Sequence, residues 1–292
     1  MRYLYICLFL AFLPVPLALL EGAFIVTGSG LSIYDTRGAG QVLMLLTVVL
    51  MVLAYVTLVA RDSVRDFFML YLRQWKTALR GFLVMLAIAW AVVIVAYILM
   101  GLLGYVRWSP EAWDAMTWKR AERTVVALFV VLVLATTEEL MFRVFLLRYL
   151  RWNTSKAVTI GAVLFSSFVF AAVHNLTDPL AWLRPEEFML FVGLFLLGVL
   201  LCVTYLVTGS FWCAVAVHSG LLGSKVFLRR TELLDVSTSS WWLHTDDLRA
   251  TPLTWALFAG LAVAIYLLRD RLNARFAVER PVVSTAKFPA AG

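Results

Sequence analysis

Residues 124–147 read TVVALFVVLVLATTEELMFRVFLL, an apolar run that contains two carboxylates and a guanidinium. About 20 mostly apolar residues in a helix cross the ~30 Å hydrocarbon core of a bilayer, so the run is long enough to span one. Glu139 and Arg143 are four residues apart with the acid first, the favourable order for a helical ion pair. Glu138 points about 100° away from that pair. Because ionisable groups inside a span are costly, the run indicates a functional site within the membrane.

The whole chain has the composition of a membrane protein. Of its 292 residues, 63% are hydrophobic and 15% are charged, and the mean hydropathy is +0.90. Soluble domains are roughly 45–50% apolar and about 25% charged, so a soluble enzyme and a disordered chain are both excluded. The net charge of +7 is explained by basic cytoplasmic loops, and no nucleic-acid partner is expected. All three cysteines lie in apolar stretches, so no disulfide framework is predicted.

Eight stretches predict an all-α polytopic membrane protein with about eight transmembrane helices and the active site within the bundle. Pro14 and Pro16 predict a kink or break in the first stretch, which we interpret as an uncleaved span in preference to a signal peptide. The last two stretches are short enough to be tilted or partly re-entrant. The eight cover residues 3–27, 40–60, 81–104, 124–147, 157–176, 188–208, 210–227 and 253–268.

The distribution of charge predicts the orientation. With the N-terminus inside, the inner segments are the first residues, 61–80, 148–156 and the tail from 269; they hold 14 positive residues and 4 acids, a net +10. The outer segments hold 10 positive residues and 12 acids, a net −2. Because Lys and Arg concentrate in cytoplasmic loops, both termini are predicted to be cytoplasmic. The short loops favour a multi-pass protein of the bacterial inner membrane.

Two kinds of segment are predicted to lie at the membrane surface. Residues 61–80 mix bases with aromatic and aliphatic side chains, which is typical of a helix in the inner headgroup region. The outer loops 105–123 and 228–252 are rich in tryptophan, which we interpret mainly as interfacial anchoring. These tryptophans are Trp108, Trp113, Trp118, Trp241 and Trp242.

Two histidines lie in further apolar stretches. His174 ends the fifth, in FAAVHN at 170–175, and His218 lies in the seventh, in WCAVAVHS at 212–219. Counting the helical rise from the inner ends places Glu138, His174 and His218 within about 13 Å of one another in depth. Tilted helices shorten such differences, so convergence near the middle of the bilayer is allowed.

These residues resemble a known family. Glu138-Glu139-x-x-x-Arg143, Phe170-x-x-x-His174 and His218 resemble, in chain order, the three motifs of the CAAX-protease and bacteriocin-processing family (CPBP, or ABI) of intramembrane proteases. The resemblance covers about 124–227 and extends to the residues around the motifs. Those residues are Phe142-Arg143 with Leu146-Leu147-Arg148, then Gly193, Gly198, Tyr205 and Thr208-Gly209-Ser210-Phe211-Trp212.

The resemblance divides the chain into three regions. Residues 1–123 would hold N-terminal transmembrane helices with the cytoplasmic interfacial segment 61–80. Residues 124–227 would form the catalytic core. Residues 228–292 would supply an outer loop, the last transmembrane helix and a cytoplasmic tail.

The resemblance also implies hydrolysis of a peptide bond in a membrane-associated protein or peptide. Glu138 would be the general base that activates water, and Glu139, paired with Arg143, would orient the site. His174 would position the water, and His218 would donate to the oxyanion. Family members have also been described as metalloproteases, with Glu138, His174 and His218 as the zinc ligands here. Since no HExxH spacing is present, we favour a metal-free site without a cofactor.

Leu222 departs from the family pattern, which commonly has Asn or Asp four residues after the third-motif histidine. Leucine cannot donate a hydrogen bond, and Asn175, Ser219 and Ser224 are the candidate substitutes. The departure keeps open an inactive family member that acts as a membrane scaffold or sorting factor. The intramembrane charges are also compatible with a proton-coupled transporter, or with a helix-stapling ion pair and separate core histidines. Neither the oligomeric state nor the choice among CaaX, bacteriocin and sorting-tail substrates follows from the sequence.

Overall fold

The computed structural model describes residues 9, 14–32, 39–59, 63–65, 75–150, 155–175, 184–235 and 248–277. Four predicted features lie wholly or mostly outside these residues: the start of the first stretch, positions 66–74 of the surface segment, the tail beyond 277, and Trp241 with Trp242. The helices are α1 (Pro14–Thr27), α2 (Ala39–Ala54), α3 (Trp75–Leu102), α4 (Trp118–Leu150), α5 (Lys156–Ala172), α6 (Pro185–Thr208), α7 (Phe211–Arg230), α8 (Pro252–Leu267) and α9 (Arg269–Phe276).

Shorter elements complete the described chain. Two-residue strands β1 (Arg107–Trp108) and β2 (Leu234–Asp235) pair antiparallel. A π-helical segment, Tyr55–Val59, extends α2, and single turns of 3₁₀-helix cover Val173–Asn175 and Leu248–Ala250. A four-residue helix, Glu111–Asp114, lies between β1 and α4.

Several helix ends follow from local side-chain chemistry. The Thr117 hydroxyl accepts a hydrogen bond from the Arg120 backbone N–H at 3.2 Å and so caps α4; Ser155 and Thr251 cap α5 and α8 in the same way. Gly209 ends α6 with φ of +62°, a left-handed conformation that glycine adopts without steric cost. The next helix begins two residues later, so α6 and α7 form a tight hairpin.

The all-α polytopic membrane protein is confirmed, but eight membrane-spanning helices are not. Within the described residues, α3, α4, α6 and α7 are long and apolar enough to cross a membrane. The helices α8 and α9 add a fifth span if they are counted together, although the chain bends by 73° between them. The apolar parts of α1, α2 and α5 have 10–17 residues, which is short for a ~30 Å crossing. The first described helix begins at Pro14, where proline suits the first turn.

Several boundaries differ from the prediction. The helix α3 begins at Trp75, so residues 75–80 of the predicted surface segment belong to a membrane helix. The predicted span at 124–147 is the longer α4, and its Leu140–Leu147 part is π-helical with every residue from 141 to 147 buried. Lys76 and Arg80 led to the prediction that residues 75–80 lie at the membrane surface, and the hydrophobic pattern gave no sign of the π-helix.

The helix α7 lies at the centre of the bundle, where it packs against α3, α4 and α6. The helix α6 in turn packs between α5 and α8. Close approach of α5 and α6 requires Gly198, since a Cβ atom there would lie 2.9 Å from the Cα and Cβ atoms of Ser167. Many large apolar side chains on α3 and α4 are exposed on the outside of the bundle, as expected for surfaces that face lipid.

The loops group at two ends of the bundle. At the strand end, which we define by β1 and β2, lie the start of α4, the end of α7 and the 3₁₀ turn 248–250. At the opposite end, α9 packs on the start of α3, and Asn273 donates from its side-chain amide to the Val207 carbonyl at 3.2 Å. Trp113 and Trp118 are exposed at the strand end, 59% and 84% respectively, as interfacial anchors would be.

Candidate active site

The predicted pair of Glu139 and Arg143 forms a buried ion pair. The Glu139 Oε2 atom lies 3.0 Å from Arg143 Nε, and neither side chain has any exposed surface. Arg143 also donates from Nη2 to the Gly198 carbonyl at 3.4 Å, across the interface with α6. Its guanidinium carbon lies 4.8 Å from the ring centroid of Phe170, a cation–π contact. The pair therefore ties α4 to both α5 and α6.

His218 connects the two glutamates. Its Nδ1 atom lies 2.9 Å from Glu139 Oε1, and its Nε2 atom lies 3.7 Å from Glu138 Oε2. A carboxylate only accepts hydrogen bonds, so Nδ1 donates to Glu139 when Glu139 is ionised. The separation of 3.7 Å is too long for a direct hydrogen bond. The geometry thus fixes the imidazole through Glu139 and leaves Nε2 directed at Glu138.

Glu138 differs from Glu139 in its access to solvent. Its side chain is 28% exposed, whereas that of Glu139 is fully buried. The difference follows from the ~100° between neighbours on a helix, which turns Glu139 toward His218 on α7 and Glu138 toward a cavity. Glu138 is the carboxylate of the two that lines this cavity.

His174 also lines this cavity. The 3₁₀ turn that follows α5 holds it, and its Nδ1 atom lies 2.8 Å from the Phe170 carbonyl oxygen. Because a carbonyl only accepts, Nδ1 bears the proton and Nε2 is left as an acceptor. The Phe170 ring lies 5.0 Å from the ring of His174 and 5.9 Å from that of His218, so it spaces the two imidazoles.

The cavity has a volume of about 190 Å³ and runs from Glu138 toward the strand end. Most of its wall is aliphatic, supplied by α3, α6, α7 and α8. Leu222 is half-buried in that wall, so an apolar group does occupy the position of the expected donor. Besides the two histidines and Glu138, the polar side chains of the wall are Tyr97, Lys225, Arg249 and Thr254.

The two serines considered as substitutes for the missing donor are not placed to act. The Ser219 hydroxyl donates to the Val215 carbonyl at 2.7 Å, and that of Ser224 donates to the Leu221 carbonyl at 3.1 Å. Both hydroxyls therefore donate to backbone carbonyl groups of α7 itself, and neither supplies the missing donor. The side chain of Asn175, the third candidate, lies outside the described part of the structure.

The structure brings together all five predicted site residues, although their chemical roles remain predictions. The 13 Å spread in depth was an overestimate because it assumed vertical helices with the predicted ends. Sequence reasoning also missed that Glu139 has a second partner, His218, that the Phe170 ring contacts Arg143 and both imidazole rings, and that Gly198 supplies a carbonyl. The glycine within an apolar helix was the available signal for the last of these.

Glu138, His174 and His218, the residues that would hold zinc, line one cavity. Among the described residues, no three His, Cys, Asp or Glu side chains are grouped so that they could hold a metal ion. The Nδ1 atoms of His218 and His174 are directed at Glu139 and at the Phe170 carbonyl, which leaves the two Nε2 atoms as the candidate ligand atoms, as in zinc-binding histidines whose other ring nitrogen is hydrogen-bonded. The choice between a metal-free site and a zinc site therefore stays a prediction, and no chemical step is assigned to a metal.

Comparison with known proteins supports the resemblance for the part of the chain that contains the site. No curated protein and no solved structure matches the chain. A family model does match, and its match ends one residue before Leu222. Residues 120–221, which contain Glu138, Glu139, Arg143, His174 and His218, match the model described as type II CAAX prenyl endopeptidase Rce1-like, and this confirms the predicted resemblance to the CPBP family over that part of the chain.

Proposed function

We propose that the chain is an intramembrane endopeptidase that hydrolyses a peptide bond of a membrane-associated protein or peptide with a water activated by Glu138. The observation that carries this proposal is the convergence of Glu138, His174 and His218 on one largely apolar cavity. The match to a type II CAAX prenyl endopeptidase model over the same residues supports it.

The first step is proton transfer from water to Glu138. The free Nε2 of His174 accepts a hydrogen bond from the water and so orients it toward Glu138. The oxygen then attacks the carbonyl carbon of the scissile bond as its proton moves to the Glu138 carboxylate. An apolar cavity wall strengthens these interactions because it excludes competing water.

The oxyanion that forms is stabilised by His218. Donation from Nε2 requires a proton there in addition to the Nδ1 proton shared with Glu139, so His218 acts as an imidazolium. Glu139 balances that charge, and Arg143 holds Glu139 in place. Collapse of the tetrahedral intermediate breaks the C–N bond, and Glu138 returns its proton to the leaving amine.

The test is cleavage of membrane-anchored peptides by purified protein, with products identified by mass spectrometry. Glu138→Gln, His174→Ala and His218→Ala should each lower turnover by about 10²–10⁴-fold, since each removes a group that acts in the transition state. Glu122→Gln is the matched control, because it makes the same change at an exposed position of α4. It should leave turnover unchanged.

A scaffold and a transporter predict different outcomes. A scaffold or sorting factor predicts that the three variants keep biological function at normal protein level, which would end the protease proposal. A proton-coupled transporter predicts loss of uptake with no cleaved product from the unaltered protein. The half-buried Leu222 in the cavity wall is the observation that favours the scaffold.

The finer membrane arrangement is also proposed. We propose eight membrane-inserted segments with both termini cytoplasmic, in a bacterial inner membrane. The structure groups Lys76, Arg80, Arg148 and the arginines of α9 at one end of the bundle, which supports this orientation. The specific substrate is unassigned beyond a membrane-associated protein or peptide.

A further inference from the structure

A second cavity lies at the strand end, away from the catalytic residues. It has a volume of about 340 Å³ and lies between the start of α4 and the end of α7. Four cationic side chains and one acid line it, with two threonines completing the wall. These residues are Lys119, Arg120, Arg123, Arg230, Glu232, Thr117 and Thr124.

The charges of this cavity are unbalanced. Arg120 pairs with Glu232 at 3.1 Å, which accounts for the single acid. Within the described residues, Lys119, Arg123 and Arg230 take part in no ion pair, and all three are exposed. Three cations on two different helices therefore face one pocket without internal compensation. Like charges so placed repel one another, and a bound anion would offset that repulsion.

The pocket lies at the top of an apolar stripe on α4. Val126, Val130 and Val133 follow Arg123 on one side of the helix and are 55%, 42% and 41% exposed. Ten residues of helix rise about 15 Å, which is half of the ~30 Å hydrocarbon thickness. Trp118, at the start of the same helix, is 84% exposed, as expected at the level of the headgroups. The cations thus lie at headgroup depth above one leaflet of apolar surface.

We propose that this cavity binds the phosphate of an anionic phospholipid, whose acyl chains lie along the α4 stripe. Arg123 and Arg230 contribute charge from opposite walls, and the guanidinium fork matches phosphate oxygens. The neutral headgroup of a phosphatidylcholine carries a quaternary ammonium, which the three uncompensated cations disfavour. A soluble phosphate shares the phosphate chemistry but makes no use of the stripe.

Native mass spectrometry of the full chain in detergent, titrated with phosphatidylglycerol or phosphatidylcholine, tests the proposal. The unaltered protein should retain phosphatidylglycerol in preference to phosphatidylcholine. The Arg123→Gln, Arg230→Gln double variant should weaken phosphatidylglycerol binding by about 30-fold, which corresponds to about five- to sixfold for each charge removed. Added salt should weaken binding to the unaltered protein more than to the variant.

The matched control removes two arginines from the opposite end of the molecule. Arg271 and Arg275 are exposed on α9, so the Arg271→Gln, Arg275→Gln variant changes the net charge equally. It should keep the preference for phosphatidylglycerol at this site. Equal lipid binding by the Arg123, Arg230 variant and the unaltered protein overturns the proposal. Inorganic phosphate that displaces the lipid at millimolar concentration, with no preference between the two lipids, identifies a soluble-anion site instead and also overturns it.

Discussion

At the scale of single residues, Glu138 and Glu139 show how one helical step separates two roles. Glu139 is enclosed by Arg143 and His218, and Glu138 opens into the cavity. The i, i+4 spacing was sufficient to predict the first contact, because it is local to one helix. The contact with His218 joins residues 79 apart in sequence. This contact depends on how α7 is rotated about its axis relative to α4. Tertiary packing sets that rotation, so a sequence pattern does not reveal it.

Breaking the buried pair should destabilise the protein. Arg143→Leu and Glu139→Gln each leave the partner charge without its counter-charge at a site with no exposed surface. The expected loss is about 3–5 kcal/mol of unfolding free energy, together with a lower yield. Thermal unfolding in detergent measures it, and Glu138→Gln, at a partly exposed position, should unfold close to the unaltered protein.

The double variant Glu139→Gln, Arg143→Leu tests whether the two residues stabilise the protein as an ion pair or independently of each other. Removing both charges should cost clearly less than the sum of the two single changes, because neither charge is then stranded. A strictly additive result would contradict the ion pair as the source of stability. His218 contacts Glu139 in every variant that retains the acid, so turnover should be measured alongside stability.

The metal-free mechanism predicts that purified protein contains no stoichiometric zinc and keeps its activity after chelation. The prediction rests on the described residues, among which no three His, Cys, Asp or Glu side chains are grouped as metal ligands. Elemental analysis and turnover before and after chelation check this. One tightly held ion per chain, lost together with activity, would refute it.

At the scale of elements, the site depends on how closely α5 and α6 approach. Gly198→Ala should push these helices apart, because the new Cβ would lie 2.9 Å from the backbone of Ser167. The displaced carbonyl would also lose its contact with Arg143. We expect about 1–3 kcal/mol of destabilisation and reduced turnover. Thermal unfolding and peptide cleavage measure the two effects.

Gly161→Ala on α5 is the control for that change. A Cβ atom at Gly161 would meet nothing within 4 Å, so the substitution should be neutral or slightly stabilising through helix propensity. Destabilisation of the two variants to the same degree would show that loss of glycine, and not contact between α5 and α6, is responsible.

Hydropathy along the chain predicted where the helices lie better than it predicted where they begin and end. Hydropathy located α3, α4, α6 and α7 because each continues apolar for long enough to span. The same property extended the predictions over α1, α2 and α5, whose regular helices are shorter. The π-helical segment after Glu139 could not be predicted, since LMFRVFLL suits an α-helix as well as a π-helix.

At the scale of the whole molecule, the proposed topology predicts which ends are accessible. Ala115→Cys is at an exposed position of the strand end and should react with a membrane-impermeant thiol reagent added outside. Thr285→Cys should react only after the membrane is opened. Cys202 and Cys213 are buried, so they should add little background. Labelling of Thr285→Cys from outside would contradict the proposed orientation.

The docking of α9 also has a consequence for how the molecule is made. Phe276 is buried beside Gly81, 195 residues earlier in the chain, and Asn273 covers the Val207 carbonyl. Contacts of such large sequence separation form late, because the intervening chain must first be ordered. During synthesis, α3 and α6 are therefore in the membrane before their last cover emerges. The end of the bundle where Gly81 and Val207 lie is therefore expected to stay uncovered in newly made chains until α9 is in place.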